Sequence, residues 1–231
     1  MKYENYIFDL YGTLVDIHTD EDKIELWEAL ADFYAKSGAV YTAEELKKDY
    51  ATNVAKALEY AEEILLDDVF KELYEVKGVT PDNTLVLETC RFFRDTSTEH
   101  LRLYPWSIPV LETIKADGKG IYLLSNAQRS FTAHELDKLG LTPYFDDIMI
   151  SSDCNIKKPN LMFFKMLMKR HNLKGNQCLF VGNDETCDIF GAKKAGMHTF
   201  YMHTNCSPEY TGKHKATYIE MEPLVNGIEL P

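Results

Sequence analysis

The chain has 231 residues, 45% of them hydrophobic and 27% charged, with a formal net charge of −12. That length supports one large domain or two small ones with a sizeable core. No apolar run reaches the roughly 18 residues needed to span a bilayer, and the negative field disfavours nucleic acid and anionic membrane as partners.

In chain order, Tyr6-Ile7-Phe8 is a short β-favouring run that stops at Asp9, and Gly12-Thr13 turns the chain. No apolar leader stretch precedes this strand, so a cytoplasmic protein is expected. From about Asp20 the apolar period becomes helical, with Ile24, Trp27, Leu30, Ala31 and Tyr34 on one face. Further helices are predicted over Ala43–Tyr50, Val54–Leu66, Val69–Val76 and Leu85–Phe93, with no strand between them. This helical stretch holds most of the charge. From Asp16 to Cys90 there are 19 acidic residues against 7 lysines and no arginine. Solubility accounts for most of that excess. Trp27, Tyr34, Tyr41, Tyr50 and Tyr60 lie at helical spacing and read mainly as core.

The pattern changes at Pro105. Helix Ile108–Ala116 leads to strand Ile121–Leu124, helix Ser130–Leu139 to a strand near Ile148–Ile150, and helix Leu161–His171 to strand Cys178–Val181. Helix Asp188–Ala195 is followed by strand Thr199–Met202, and Ala216–Ile219 is the last strand candidate. Strands separated by helices of this length imply an α/β fold with a doubly wound parallel sheet. The predicted organisation is a Rossmann-like core over residues 1–15 and 100–231, with an all-α cap over 16–99. Five scattered cysteines (Cys90, Cys154, Cys178, Cys187, Cys206) show no CxxC pair and no zinc spacing, so free thiols are expected.

In open parallel sheets, ligands bind beyond the carboxyl ends of the strands. Four polar clusters fall there: Asp9-Leu10-Tyr11-Gly12-Thr13, Ser125-Asn126, Lys157-Lys158-Pro159, and Asn183-Asp184-Glu185 with Asp188. Singly, each has a bland reading as a helix cap, a turn or a solvated charge. Together they make one chemistry. A carboxylate can attack phosphorus or an activated carbon and form a covalent intermediate. A hydroxyl, an amide and a lysine can hold the transferring group, and clustered acids can hold Mg²⁺.

These four clusters in this order resemble the motifs of the haloacid dehalogenase-like hydrolase superfamily, and the helical stretch resembles its α-helical cap. The resemblance implies that Asp9 is the nucleophile and that Thr13 supports its loop. It implies that Ser125 and Asn126 bind the transferring group. Lys158 is the cationic anchor, in preference to Lys157, and Asp184 and Asp188 hold Mg²⁺ together with Asp9 and the backbone carbonyl of Tyr11. Two positions depart from the pattern. Phosphatases of the family usually carry a second Asp, a general acid and base, where this chain has Tyr11. Asn183 follows Gly182 where many members have the first metal-binding acid, so Asn183 or Asp184 is the expected direct ligand.

The segment Asp9–Leu14, followed by Asp16-Ile17-His18, is also very similar to the first motif of 2-haloacid dehalogenases, which use no metal. Against that reading, the cap has no Arg before Arg91 to receive a substrate carboxylate, leaving only Arg91 and Arg94, and the fourth motif is acidic. The expected function is therefore a Mg²⁺-dependent phosphatase acting on a small phosphorylated metabolite. The alternatives are a metal-free dehalogenase and a weakly catalytic binding protein on the same scaffold. Tyr11, His18 or water is the expected proton source for the leaving group. No feature of the sequence indicates an oligomeric state.

Overall fold

A computed structural model describes residues 2–209, 211 and 212; the expected strand Ala216–Ile219 lies outside them. In chain order the elements are β1 (Asn5–Phe8), β2 (Val15–Thr19), α1 (Ile24–Ala35), α2 (Ala43–Leu58), α3 (Leu66–Val76), α4 (Asn83–Ser97) and β3 (Thr98–Leu103). There follow α5 (Ser107–Ala116), β4 (Gly120–Ser125), α6 (Arg129–Lys138), β5 (Asp147–Ile150), α7 (Leu161–Arg170), β6 (Cys178–Gly182), α8 (Gly191–Lys194) and β7 (His198–Tyr201). Five strands form one sheet in the order β5-β4-β1-β6-β7, and every pair is parallel.

The sheet is buried on both faces, so its strands are apolar in succession rather than alternating with polar residues. Tyr6 and Phe8 of β1 and Ile121 and Leu123 of β4 pack with Val110, Leu111 and Ile114 of α5. Ile7, Tyr122 and Leu124, one residue out of step, pack with Phe163, Phe164 and Leu167 of α7 on the other face. Helices on both faces make the doubly wound α/β architecture. Among the described residues no helix is long and apolar enough to cross a membrane, and all five cysteines are free thiols.

Helices α1–α4 gather their own core around Trp27, Tyr34, Phe70, Tyr74 and Phe93, joined by Phe131 of α6. Two expectations for this region need correction. Residues 43–58 are one helix, and the predicted second helix over 54–66 gives way to a loop at 59–65. Thr42 caps the helix by accepting from Glu45 N, and the Thr52 hydroxyl donates to the Lys48 carbonyl inside it. Only Leu46 of this helix is buried, so its hydrophobic period is weak and the polar stretch Ala51-Thr52-Asn53 looked like a break.

The second correction concerns β2 and β3, an antiparallel ribbon that carries the chain out of the core and back. Its pairs, Asp16 with Arg102 and Ile17 with Leu101, straddle both expected boundaries of the cap. The ribbon is short and half polar and therefore lacks a strand signature. Its anchor is Asp16, which is buried although charged. Asp16 Oδ1 accepts from Asn205 Nδ2 at 2.8 Å and lies 3.1 Å from His100 Nε2, while Oδ2 accepts from Arg102 Nε at 2.8 Å.

Burial alone would raise the Asp16 carboxyl. The bonds from Asn205, His100 and Arg102 outweigh it and hold the group well below the usual carboxylate range. A carboxyl depressed in the folded state contributes stability above its unfolded value of about 3.9 and loses it as the pH falls toward the folded value. Asp16→Asn is expected to lower stability at neutral pH by about 2 kcal/mol and to flatten the acid limb of the stability curve. Thermal unfolding followed from about pH 2 to pH 7 checks both effects.

Candidate active site

The parallel strands end together at one edge of the sheet, and the polar clusters meet there. Asp9 leaves β1 with its amide donating to Val181 O at 2.9 Å, which keeps it beside β6. The next turn is tight: the amides of Thr13, Leu14 and Val15 all converge on the Leu10 carbonyl. Gly12 sits in this turn at φ +77°, and a Cβ there would fall 2.1 Å from Asn183 Nδ2. Glycine is required on both counts.

Lys158 is the hub. Its Nζ is buried between Asp9 Oδ1 at 2.7 Å and Asp188 Oδ1 at 2.6 Å. Burial disfavours its charge, but the two carboxylates more than compensate, and the ammonium is held well above its ordinary range. Ser125, at the end of β4, donates its hydroxyl to the same Asp9 Oδ1 at 3.1 Å. Lys157 is half buried and lies outside the cleft lining, so Lys158 takes the anchor position.

The other predicted residues are also here, though several have uses the sequence did not indicate. Asn126 is a positioning group. Its Nδ2 donates to Lys158 O at 2.9 Å and its Oδ1 accepts from Lys158 N at 2.8 Å, so the amide clamps the lysine loop from both sides. Thr13 donates to Asn183 Oδ1 at 3.3 Å, and Asn183 Nδ2 donates to Cys206 O at 3.2 Å. Both polar atoms of Asn183 are thereby engaged, which leaves Asp184 as the better candidate for a direct metal ligand. Asp184 Oδ1 caps a π-helical turn (Glu185–Phe190) by accepting from Thr186 N and Cys187 N, both at 2.7 Å.

Asp188 accepts from Asp184 N at 3.0 Å through Oδ2, in space that a side chain at Gly182 would fill. Burial and nearby Asp9 push its carboxyl up to about 7, against the pull of Lys158. The acids of this cluster are each partnered within the fold. Glu185 too is engaged, by the amide and hydroxyl of Thr211.

Tyr11 lines the cleft, but its hydroxyl is committed. It donates to Glu135 Oε2 and lies 3.0 Å from Thr132 Oγ1. Arg94, from α4, bonds Glu135 Oε1 at 2.6 Å and stands over the Tyr11 ring at 5.3 Å. Burial and the adjacent Glu135 carboxylate push the phenol far above its ordinary range. This is the wrong direction for a proton donor at neutral pH. His18 is remote, exposed on the ribbon and paired with Glu99 at 2.9 Å.

Sequence reasoning missed Glu135, a carboxylate on a largely buried helix face, and the loop after β7. There Thr204 donates to Gly12 O at 2.7 Å, and Cys206 and Pro208 line the cleft. The strand-end rule, applied to the fifth strand as well as the first four clusters, points at this loop. The cleft holds about 190 Å³ and is open to solvent.

The donors fit Mg²⁺. Asp9, Asp184 and Tyr11 line the cleft, where two carboxylates and a backbone carbonyl would offer Mg²⁺ hard oxygen donors, and three carboxylates share the cleft with one ammonium. Among the described residues, no three His, Cys, Asp or Glu side chains form a cage. Mg²⁺ commonly takes one or two carboxylates and keeps its waters.

A sequence model of the haloacid dehalogenase-like hydrolase family matches residues 3–196. The glyceraldehyde 3-phosphate phosphatase of Methanocaldococcus jannaschii is 36% identical over 99 residues, 43% of either chain, so the match spans less than half the length of that relative. The phosphoglycolate phosphatase of Vibrio parahaemolyticus is 28% identical over 196 residues, 84% of this chain and 80% of that one. A solved 2-haloacid dehalogenase from Pseudomonas syringae superposes with a TM-score of 0.68 at 22% identity, covering 97% of this chain and 98% of that one, and so shares the fold. With the family match spanning most of the length and the four motifs converging on one cleft, the chain belongs to the haloacid dehalogenase-like hydrolase family.

Proposed function

We propose that this chain is a Mg²⁺-dependent phosphatase acting on small phosphomonoesters through a covalent intermediate on Asp9. The observation that carries this reading is the arrangement around Asp9. Lys158 Nζ and Ser125 Oγ both bond Oδ1, which orients the carboxylate and leaves Oδ2 to attack. In the first step the Oδ2–P bond forms, the P–O bond to the leaving group breaks, and the leaving oxygen takes a proton. In the second, water attacks phosphorus, releases inorganic phosphate and regenerates Asp9. Lys158 and Ser125 offset the charge that grows on the phosphoryl oxygens. With Tyr11 and His18 both engaged elsewhere, water in the open cleft supplies the proton. Mg²⁺ held by Asp9, Asp184 and the Tyr11 carbonyl would lower the repulsion between an anionic nucleophile and an anionic phosphate. Named relatives that cleave phosphate from small esters support the same class of substrate.

The metal-free dehalogenase is the second reading, favoured by Tyr11 at the position of the usual acid. It requires a free cation for a substrate carboxylate; Arg94 is already bound to Glu135, and Arg91 lines a pocket apart from the cleft that holds Asp9. One experiment separates the two. Release of phosphate from 4-nitrophenyl phosphate is expected to fall about 100-fold or more when Mg²⁺ is chelated, with no chloride released from 2-chloropropionate. Chloride release that survives chelation would instead establish the dehalogenase.

A further inference from the structure

The charges around the cleft constrain what can be attached to the phosphate. Of the described residues lining it, Lys158 is the one cation, against Asp9, Asp184 and Asp188. Lys158 is shared between Asp9 and Asp188. Three arginines of α4 and α6 lie outside this lining, and two of them are neutralised, while Arg91 is exposed in a neighbouring pocket with Arg129. Arg94 is paired with Glu135, and Arg129 with Asp153.

The cap adds two acids near the catalytic loops. Its 59–65 loop reaches the two core turns that carry Ser125-Asn126 and Lys158. Gln128 Nε2 donates to Ile64 O at 2.8 Å and to Glu63 Oε1 at 3.4 Å, and Leu66 N donates to Gln128 Oε1 at 3.0 Å. On the second turn, Asn160 Nδ2 donates to Glu62 Oε2 at 2.9 Å. Glu62 and Glu63 are thus fixed where the cap meets the catalytic loops. The phosphoryl group can be matched by Lys158 and a metal, but among the described residues lining the cleft a carboxylate or second phosphate on the leaving group finds acids and no second cation.

We propose that the site selects phosphomonoesters whose leaving group is neutral or cationic and discriminates against those bearing a second anion. This rests on the phosphatase reading. It parts the chain from relatives named for phosphoglycolate, an ester whose leaving group, glycolate, carries a carboxylate.

The test compares three esters with the same two-carbon chain: phosphoethanolamine, 2-hydroxyethyl phosphate and phosphoglycolate. 4-Nitrophenyl phosphate serves as the reference, with Mg²⁺ present throughout. Each ester is read as kcat/KM or, where turnover is slow, as inhibition of the reference reaction. Phosphoglycolate is expected to be at least about tenfold poorer than 2-hydroxyethyl phosphate, and phosphoethanolamine at least as good as the neutral ester. The gap is expected to narrow as salt rises from about 20 to about 300 mM, because screening weakens the repulsion. It is also expected to narrow in the Glu62→Gln/Glu63→Gln double variant. Phosphoglycolate equal to or better than the neutral ester would overturn the inference while leaving the phosphatase intact. Failure to hydrolyse 4-nitrophenyl phosphate as well would overturn both.

Discussion

Asp9→Asn is expected to lower phosphate release by about 10⁴-fold or more, the scale seen when a covalent nucleophile is removed, while the protein stays folded. An amide cannot form the phosphoenzyme, yet it fills the same space. The electrostatics predict that stability hardly suffers. Lys158 keeps Asp188 as its partner at 2.6 Å, so its buried ammonium is still paired. Asp188, whose carboxyl is raised partly by Asp9, is relieved of a like charge. A melting temperature within a few degrees of the parent, together with lost turnover, separates a chemical role from a structural one. Turnover within tenfold of the parent would remove Asp9 from the mechanism and with it the covalent intermediate. The same variant also decides against a protein that merely binds: ligand affinity would survive the substitution, but there would be no parent activity to lose.

The positions of Asp9, Ser125, Lys158, Asp184 and Asp188 were legible in the sequence because each lies just past a parallel strand or in the loop that follows one, and strand ends are read from local apolar runs. What each side chain does was less legible, because its partner is far away in sequence. Asn126 looks like a phosphate ligand until it is seen clamping Lys158, 32 residues on. Asn183 looks like a metal ligand until Thr13, 170 residues earlier, is seen donating to it. The same distance hides Tyr11. Nothing near it in sequence shows that Glu135 and Arg94 hold its hydroxyl and ring. The β2–β3 ribbon escaped notice for a different reason. Of its polar residues Asp16 alone is buried, paired with Arg102 of the facing strand, and a half-polar strand this short has no hydrophobic period to read.

Lys158→Met tests the hub of the site and should affect activity and stability together. Removing one partner of a buried ion pair leaves the other charge uncompensated, which commonly destabilises by about 3–5 kcal/mol; here two carboxylates lose the same ammonium. Activity is expected to fall by about 10²–10³-fold, the scale for losing a preorganised cationic or hydrogen-bond donor. The pH response distinguishes this account from simple loss of packing. Burial and Asp9 already hold the Asp188 carboxyl above its ordinary range in the parent, and removing Lys158 pushes it higher still. A carboxyl raised in the folded state contributes stability at low pH and loses it as the pH climbs toward the folded value. The variant should therefore be more stable at about pH 6 than at about pH 8, by a wider margin than the parent. Mg²⁺, by supplying positive charge beside the same acids, should recover part of the lost melting temperature but not the lost rate, because the metal cannot replace the bond that fixes Asp9 Oδ1. If melting temperature falls equally at both pH values, the loss is one of packing, and Lys158 does not act by neutralising Asp9 and Asp188.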